Sequence, residues 1–339
     1  MSEAFALNLT KEPEMKKIDV LILIALPASG KSEVRTLLNK MPKTSFPQFH
    51  DDVAQLDDYP YVEFMRAVDE AAITRLKMDP LFFHASDRGF KDPFEWVTLI
   101  ELLNQDFLYS RTSRLRSFPN EAALKLFQRI DRAQRLAGAR IKIGRLPEDV
   151  QHMLARQVEK EALKVEETFA KDCPPVFGGK DRSIIIEFSR GAAINAPMPL
   201  DPPFGYEFAL SRLSPEILER AAVLYILVTP EQSRIKNAIR AVPPPGCTDT
   251  TTYHGVPMDV MLRDYGCDDI SWLLLPENSG GHTNAIWINA HGRQYVFPTA
   301  IFDNQKDLTT FVRQPQEQWA QGDVDQIYTE LKNALDKLC

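Results

Sequence analysis

The sequence predicts an α/β fold: a mainly parallel five-stranded sheet covered by helices, with a helical insertion and a lid. Three observations predict it. Short, almost continuously apolar runs alternate with amphipathic stretches, which is typical of parallel strands joined by helices. The first apolar run leads directly into a loop of small residues that is followed by a helical pattern. Two long stretches without core strands, one helical and one rich in turns, separate the later runs.

The strands are predicted from runs that leave little room for solvent. Residues 18–26 are apolar on both faces, as a buried parallel strand requires. The second run is predicted to stop at His50, Asp51 and Asp52. The predicted strands are residues 18–26, 44–49, 183–188 and 223–228, and the two arms of a hairpin, 285–290 and 293–302.

Apolar residues at three- and four-residue spacings predict the helices. They fall at residues 32–40, 61–77, 92–108, 119–136, 147–170, 215–222, 231–240 and 324–338. We expect a single domain over 1–339, with a mainly helical insertion at 60–175. A lid-like excursion is predicted at 241–283, because this stretch opens with three prolines and a glycine, Pro243 to Gly246.

Composition excludes several classes of protein. The longest apolar run, at 221–228, is far too short for a membrane span. The N-terminus has no basic region followed by an apolar segment, so no signal peptide is expected. The four cysteines have no disulfide-framework spacing, which favours reduced thiols and a cytoplasmic protein. A net charge of −7 argues against a surface that is wholly adapted to nucleic acid.

Positive charge is nevertheless concentrated in one stretch. Residues 111–145 contain ten basic side chains and only two acidic ones, Glu121 and Asp131. Two interpretations stay open: a solvated helix face, or a surface for a phosphorylated or polyanionic partner.

The loop after the first strand reads Ala-Leu-Pro-Ala-Ser-Gly-Lys-Ser over residues 25–32. Its strand–loop–helix context is the one that a phosphate-binding loop requires, and it predicts the three-layer sandwich of P-loop NTPases. Lys31 is predicted to hold the β- and γ-phosphates of ATP, and Ser32 to ligate Mg²⁺. The residues predicted to bind the nucleotide are Leu26, Pro27, Ala28, Ser29, Gly30, Lys31, Ser32 and Glu33.

This loop, followed some twenty residues later by a strand ending in aspartates, resembles the polynucleotide-kinase-like branch of P-loop kinases. The resemblance implies that a strand-end aspartate deprotonates the acceptor hydroxyl. Asp51 is the position that matches, with Asp52 beside it, and Asp51 is also predicted near the metal. The alternative is that both aspartates cap the N-terminus of a helix.

Two further segments resemble this superfamily. Glu187 ends an apolar strand, where the resemblance implies an acidic Walker B residue that holds Mg²⁺. Residues 224–240 are similar to the strand and lid-entry helix of nucleoside and nucleotide kinases, whose basic residues stabilise the transferring phosphate. Arg234 and Arg240 are the predicted catalytic arginines, with Lys236 between them.

Other motifs carry less weight. Cys247, His254, Cys267 and His282 could hold zinc in a lid, but the tight pairs that zinc sites use are missing. The sequence leads to an ATP-dependent kinase that moves the γ-phosphate to a hydroxyl of a nucleoside, nucleotide, small metabolite or nucleic-acid end. The acceptor is not identified. The alternative is a nucleotide-gated ATP-binding protein that recruits a partner.

Overall fold

The computed structural model describes residues 16–85, 88–111, 121–176, 181–242 and 255–339. These form a mixed, mostly parallel six-stranded sheet in the order β2-β3-β1-β4-β6-β5. Five strands are parallel, and β5 pairs antiparallel to β6 at one edge. The strands are β1 (Val20–Ile24), β2 (Asp52–Asp57), β3 (Arg182–Phe188), β4 (Ala221–Leu227), β5 (Ala285–Ala290) and β6 (Arg293–Asp303).

Helices connect most of these strands. The helices after β1 and within the long β2–β3 connection are α1 (Lys31–Lys40), α2 (Tyr59–Leu76), α3 (Glu95–Ser110), α4 (Ala122–Ala137) and α5 (Glu148–Asp172). The later helices are α6 (Gly205–Ser211), α7 (Pro215–Leu218), α8 (Pro230–Arg240), α9 (Met258–Arg263), α10 (Ile270–Leu273) and α11 (Gln321–Asp336).

Alternate residues of β1 point to two separate cores, as the period of a strand dictates. Val20, Ile22 and Ile24 pack in a core with residues of α3, α6, α7 and α10. Leu21 and Leu23 pack in a second core with residues of α1 and α11. Helices therefore cover both faces of the sheet. A third core lies among α2, α3, α4 and α5, so the long β2–β3 connection has an apolar interior of its own.

The second predicted strand is wrong. The chain forms a short 3₁₀ turn at Lys43–Ser45, which overlaps the start of the predicted range 44–49. The strand instead occupies Asp52–Asp57. Pro47 has no N–H to donate to a sheet. Phe46 and Phe49 belong to the loop, and their side chains are buried in the core that also contains residues of α1 and α11. The strand count is also corrected from five to six, because both arms of the predicted hairpin join the sheet.

The connection between β2 and β3 holds the four helices α2 to α5, in the region predicted as a helical insertion. Of the predicted lid, residues 243–254 lie outside the described part, including Pro243 to Gly246. The described remainder carries α9 and α10. Within the described ranges, no helix combines the length and apolar character needed to cross a membrane.

Candidate functional site

The loop between β1 and α1, residues 25–30, turns sharply at the carboxyl edge of the sheet. Ala28 and Gly30 have φ values of 57° and 105°, in the left-handed region that glycine adopts without strain. A Cβ atom at Gly30 would lie 2.5 Å from the Thr309 hydroxyl oxygen. Glycine is therefore required at position 30 both by backbone angle and by the close approach of the chain after β6.

The carbonyl groups of this loop are held by the surrounding scaffold. The hydrogen bonds run from the Tyr206 hydroxyl to Ala25 O (2.8 Å), from Ser233 Oγ to Pro27 O (2.6 Å) and from Asn304 Nδ2 to Ser29 O (2.7 Å). The backbone N–H groups of residues 28–33 donate to no acceptor in the described part of the chain. The loop is thus fixed through its carbonyls, while a row of donors stays available.

Lys31, the first residue of α1, is 7% exposed. Its Nζ donates to Ser189 Oγ at 2.7 Å, to Ala25 O at 3.1 Å and to Leu26 O at 3.3 Å. Burial lowers the pKa of Lys31, against the opposing influence of Glu187 and other nearby carboxylates. The three acceptors of Lys31 Nζ are neutral, so its ammonium group can still form an ion pair with a bound anion.

Two carboxylates at the ends of neighbouring strands share one cation. Arg35 Nη1 lies 3.1 Å from Asp57 Oδ2 and 3.3 Å from Glu187 Oε2. Glu187 Oε2 is buried and accepts no hydrogen bond within the described residues. Burial raises the pKa of Glu187 to about 7, although Arg35 acts in the opposite direction.

The next carboxylate, Asp58, has a different environment. Its Oδ2 accepts a hydrogen bond from Arg190 Nη1 at 2.8 Å, and both side chains are buried. Arg190 Nη2 also donates to Trp96 O at 2.8 Å, and its guanidinium lies over the rings of Trp96 and Phe188. Burial raises the pKa of Asp58 despite the charge of Arg190. Asp58 is therefore committed to a structural ion pair.

The loop and these carboxylates line a cavity of about 370 Å³. Its polar end, as we use the term below, consists of residues 27–33, Arg35, Asp57, Glu187 and Ser189. Its other end is lined by side chains of α2 and the start of α3, by Phe83 and Phe90, and by residues between 255 and 265. Arg66 and Arg240 also line the cavity. The polar end can thus accept an anion, and the other end an apolar group.

Most of the predicted nucleotide-binding residues line this cavity: Pro27, Ala28, Ser29, Gly30, Lys31, Ser32 and Glu33. Leu26 lies behind the loop, fully buried, with its carbonyl bonded to Ser29 and Lys31. Glu187 and Arg240 also line the cavity. The structure brings these predicted residues together.

The predicted position of Asp51 at the end of a strand is wrong. It precedes β2 instead of following a strand, so it lies at the opposite edge of the sheet from the loop. The register shows this: Asp52 pairs with Arg182, whereas Asp57 pairs with Glu187. Asp51 is exposed and does not line the cavity. The strand-end aspartate is Asp57, because the strand ends eight residues further along the chain than predicted.

Arg234 also differs from its expected position. It is half-buried on α8 and is absent from the cavity lining, with a buried Nη1 that has no hydrogen-bond partner among the described residues. Lys236 Nζ contacts Asp307 and Asn304 O instead of the cavity. Of the three basic residues of α8, Arg240 is the one that lines the cavity, because it lies at the C-terminal end of the helix.

Sequence reasoning missed several residues of the site. Arg35 follows Lys31 by four positions, which puts both on one face of α1, and this spacing could have identified it. Asp57 ends the polar edge strand β2 and Asp58 follows it, and the weak apolar pattern of this strand hid its end. Ser189 and Arg190 follow directly after β3 and could have been expected at the same edge as Lys31.

The described residues of the basic stretch 111–145 do not line the cavity. Arg129 is buried within the insertion and donates to Asp106 at 2.7 Å and to the Tyr61 hydroxyl at 3.1 Å. Arg140, Lys142 and Arg145 line a separate depression together with Lys77 and Lys91. Arg114 and Arg116 lie outside the described residues.

The residues predicted to bind a metal divide into two groups. Cys247 and His254 of the zinc hypothesis lie outside the described residues. Within the described ranges, no group of three or more histidine, cysteine or acidic side chains is arranged to hold a metal. Ser32, Asp57 and Glu187 line the polar end of the cavity, and they supply the hard oxygen donors that Mg²⁺ prefers.

Comparison with known proteins adds no relative: protein-family models, curated proteins and solved structures each gave no match.

Proposed function

We propose that the chain is an ATP-dependent phosphotransferase with a P-loop kinase fold, which moves the γ-phosphate of ATP to an acceptor hydroxyl. The observation that carries the proposal is the polar end of the cavity. There the N–H groups of residues 28–33 donate no backbone hydrogen bond within the described part of the chain, and these residues line the same cavity as Lys31 and the strand-end carboxylate of Asp57. Such a row of N–H groups at a helix N-terminus binds phosphate.

The roles follow from the chemistry of each group. The loop N–H groups and Lys31 would bind the β- and γ-phosphates, and Arg240 would neutralise charge on the transferring group. Ser32 and Glu187 fit Mg²⁺, since the buried Glu187 Oε2 accepts no hydrogen bond from the described residues. The ion would neutralise part of the phosphate charge when bound.

Asp57 is the better candidate for orienting the acceptor hydroxyl and accepting its proton. Both aspartates line the cavity, but the side chain of Asp57 is 19% exposed, whereas Asp58 is buried in its ion pair with Arg190. In the transfer, the acceptor oxygen bonds to the γ-phosphorus and the bond from that phosphorus to the β–γ bridging oxygen breaks. ADP leaves, and the hydroxyl proton passes to Asp57 and then to solvent.

The test is incubation with Mg²⁺ and γ-labelled ATP against nucleosides, nucleotides, sugars, aromatic alcohols and 5′-hydroxyl oligonucleotides. Label transfer that is lost in Lys31→Met would support the proposal. Tight ATP binding without transfer to any acceptor would favour the alternative, in which ATP orders a surface for a partner. Absence of ATP binding would refute both.

A polyanionic partner is a second, separate part of the proposal. It rests on the depression in which Lys77, Lys91, Arg140 and Arg145 are exposed. Binding of a heparin fragment should weaken steeply as salt rises from 50 to 200 mM, by on the order of tenfold or more if several contacts form. Undetectable binding at low salt would leave only a solvated face.

A further inference from the structure

The end of the cavity away from the loop is formed by packed rings. We call it the aromatic chamber and define it by Val62, Phe83, Phe90, Trp96, Val260 and Tyr265. Phe83 and Phe90 stack with centroids 4.5 Å apart, and Trp96 meets Phe90 and Tyr265 edge to face at 4.9 and 5.4 Å. Each ring thus has neighbours that fix its orientation, and the chamber offers a rigid apolar wall.

The wall is held in place from behind by one carboxylate. Asp69 of α2 accepts hydrogen bonds from the N–H groups of Leu81 (2.6 Å), Phe82 (3.0 Å) and Phe83 (2.8 Å). This carboxylate is 5% exposed and fixes the segment that carries Phe83. A wall formed before binding spares a ligand the cost of ordering it.

The chamber is tied to the acidic turn that follows β2. Arg190 bonds both Asp58 and the carbonyl of Trp96, each at 2.8 Å. Tyr59, next to the two aspartates, lines the same cavity. A molecule whose body lies against the rings would therefore have polar neighbours at the strand end that carries Asp57 and at Arg66, whose guanidinium lies 4.1 Å from the centroid of the Phe83 ring.

The side chains that line the aromatic chamber limit the class of molecule that could bind there. A nucleobase or a sugar needs several hydrogen-bond partners on the wall that it contacts, and unmatched polar groups are costly to bury. Of the six residues of the aromatic chamber, Val62, Phe83, Phe90 and Val260 have no polar side-chain atom, and Trp96 and Tyr265 have one each. The chamber instead offers ring faces and aliphatic groups, which match an apolar ring.

Size gives a second limit. The cavity of about 370 Å³ includes both the polar end and the aromatic chamber. That volume is at the lower end of the range for small-molecule sites, about 300–1,000 Å³. An oligonucleotide end would need an extended groove with cations along it, whereas the cavity lining has Arg66 and Arg240 outside the polar end.

We infer that the acceptor is a small alcohol with an apolar aromatic body, whose ring lies in the aromatic chamber and whose hydroxyl reaches Asp57. This inference rests on the proposed phosphotransferase function. The reaction is the transfer described above: the alcohol oxygen gains the γ-phosphoryl group, ADP leaves, and Asp57 takes the hydroxyl proton. The products are an aryl-alkyl phosphate monoester and ADP.

The test combines transfer with binding. The acceptors are 2-phenylethanol, benzyl alcohol and an indole alcohol, compared with adenosine, ribose and a 5′-hydroxyl dinucleotide, all with Mg²⁺ and γ-labelled ATP. We expect kcat/KM for the best aromatic alcohol to exceed that for adenosine and ribose by roughly 10- to 100-fold. Preferred transfer to adenosine, ribose or the dinucleotide would overturn the inference.

A blocking variant tests the location. Val62→Phe adds bulk inside the chamber, and we expect KM for the aromatic alcohol to rise at least about tenfold with little change in the Kd for ATP. Ile73→Phe makes the same kind of change at an exposed position of α2, outside the cavity, and is the matched control. Equal KM values for both variants would place the acceptor elsewhere and overturn the inference.

Fluorescence provides a readout that does not depend on turnover. The chain has four tryptophans, Trp96, Trp272, Trp287 and Trp319. Quenching by 2-phenylethanol in wild type and Trp319→Phe, but not in Trp96→Phe, would support the chamber as the binding site. Quenching of Trp96 by ATP alone would show that the donor base occupies the chamber, and would overturn the inference.

The two proposals fail differently. Loss of ATP binding or of all transfer would refute the phosphotransferase. Ring binding at Trp96 without transfer to any alcohol would leave a ligand site but overturn its role as the acceptor site. Transfer to a non-aromatic acceptor would retain the phosphotransferase and refute only the acceptor class.

Discussion

The two ends of the cavity are built by different means. At the polar end, the backbone supplies the shape: loop carbonyls are fixed by Tyr206, Ser233 and Asn304, and strand ends position the carboxylates. In the aromatic chamber, side chains of α2, α3, α9 and the connecting segments supply the shape through ring packing. We therefore expect substitutions at the polar end to abolish the proposed phosphoryl transfer. Substitutions in the aromatic chamber should instead change which acceptor is used.

The largest effect is expected at Lys31. Lys31→Met removes the buried ammonium that would bind phosphate, and we expect label transfer to fall by on the order of 10³-fold. Transfer and ATP affinity would be measured together. Lys332→Met, an exposed lysine of α11 that pairs with Asp336, is the matched control and should retain activity. A Lys31 variant with turnover within tenfold of wild type would contradict the assignment of the polar end.

The next effect separates the paired aspartates. Asp57→Asn should lower kcat by about 10²- to 10⁴-fold, because it removes the proposed proton acceptor, and it should cost less stability than Asp58→Asn because Arg35 keeps Glu187 as a charged partner. Asp58→Asn should instead lower the free energy of unfolding by about 3–5 kcal/mol, since it leaves the buried Arg190 without its charged partner. Steady-state kinetics and urea denaturation would be measured for both.

The opposite pattern, with a stable but inactive Asp58→Asn and an active Asp57→Asn, would exchange the two roles. Asp51→Asn is the control for position. It lies at the far edge of the sheet, so its kcat should match that of wild type.

A smaller effect distinguishes the two arginines of α8. Arg240→Gln should lower kcat by roughly tenfold to a hundredfold, because Arg240 lines the cavity between its two ends. Arg234→Gln, outside the cavity lining, should change kcat by less than about threefold, within 0.7 kcal/mol. Equal losses for both variants would show that the arginines act together and would extend the polar end along the helix.

The smallest effect concerns stability at the chamber. Asp264 lies beside Tyr265 and close to Gly89, and burial raises its pKa to about 6. The native state then binds this proton more tightly than the unfolded chain, so this group lowers the free energy of unfolding as pH rises from 4 to 6. Asp264→Asn should remove that loss and be more stable at pH 7 by about 1–3 kcal/mol.

Urea denaturation of wild type and Asp264→Asn at pH 4 and pH 7 would measure this difference. The control is Asp201→Asn, an exposed carboxylate on another segment of the chain. A stability difference that does not change between the two pH values would show that Asp264 is ionised in the native state at pH 4.

The sequence predicted the α/β class and the 25–32 loop because β1 and β3 are apolar on both faces and the loop has a characteristic order of residues. It failed at β2, whose sequence Asp-Val-Ala-Gln-Leu-Asp is too polar to stand out from the phenylalanines before it. That error moved the predicted strand end from Asp57 to Asp51. An edge strand needs less apolar surface than a central one, and its pattern is correspondingly weak.

The aromatic chamber could not be predicted from the sequence, for a different reason. Phe83, Trp96 and Tyr265 belong to segments far apart in the chain, and each reads singly as an ordinary core residue. Their convergence depends on how α2 and α3 pack and on the course of the chain after residue 254. Sequence periodicity carries no information on either point.

Asp69 has a consequence for how the protein could change its acceptor. This carboxylate holds the 81–83 backbone but is not part of the cavity lining. Because the wall is anchored through main-chain groups, the identity of the side chain at position 83 is not needed for the anchor. Phe83 could therefore be exchanged for a smaller or more polar residue while the segment keeps its path. In evolutionary terms, selection for a new acceptor could act at the wall without altering the polar end, where we propose that the phosphate donor binds.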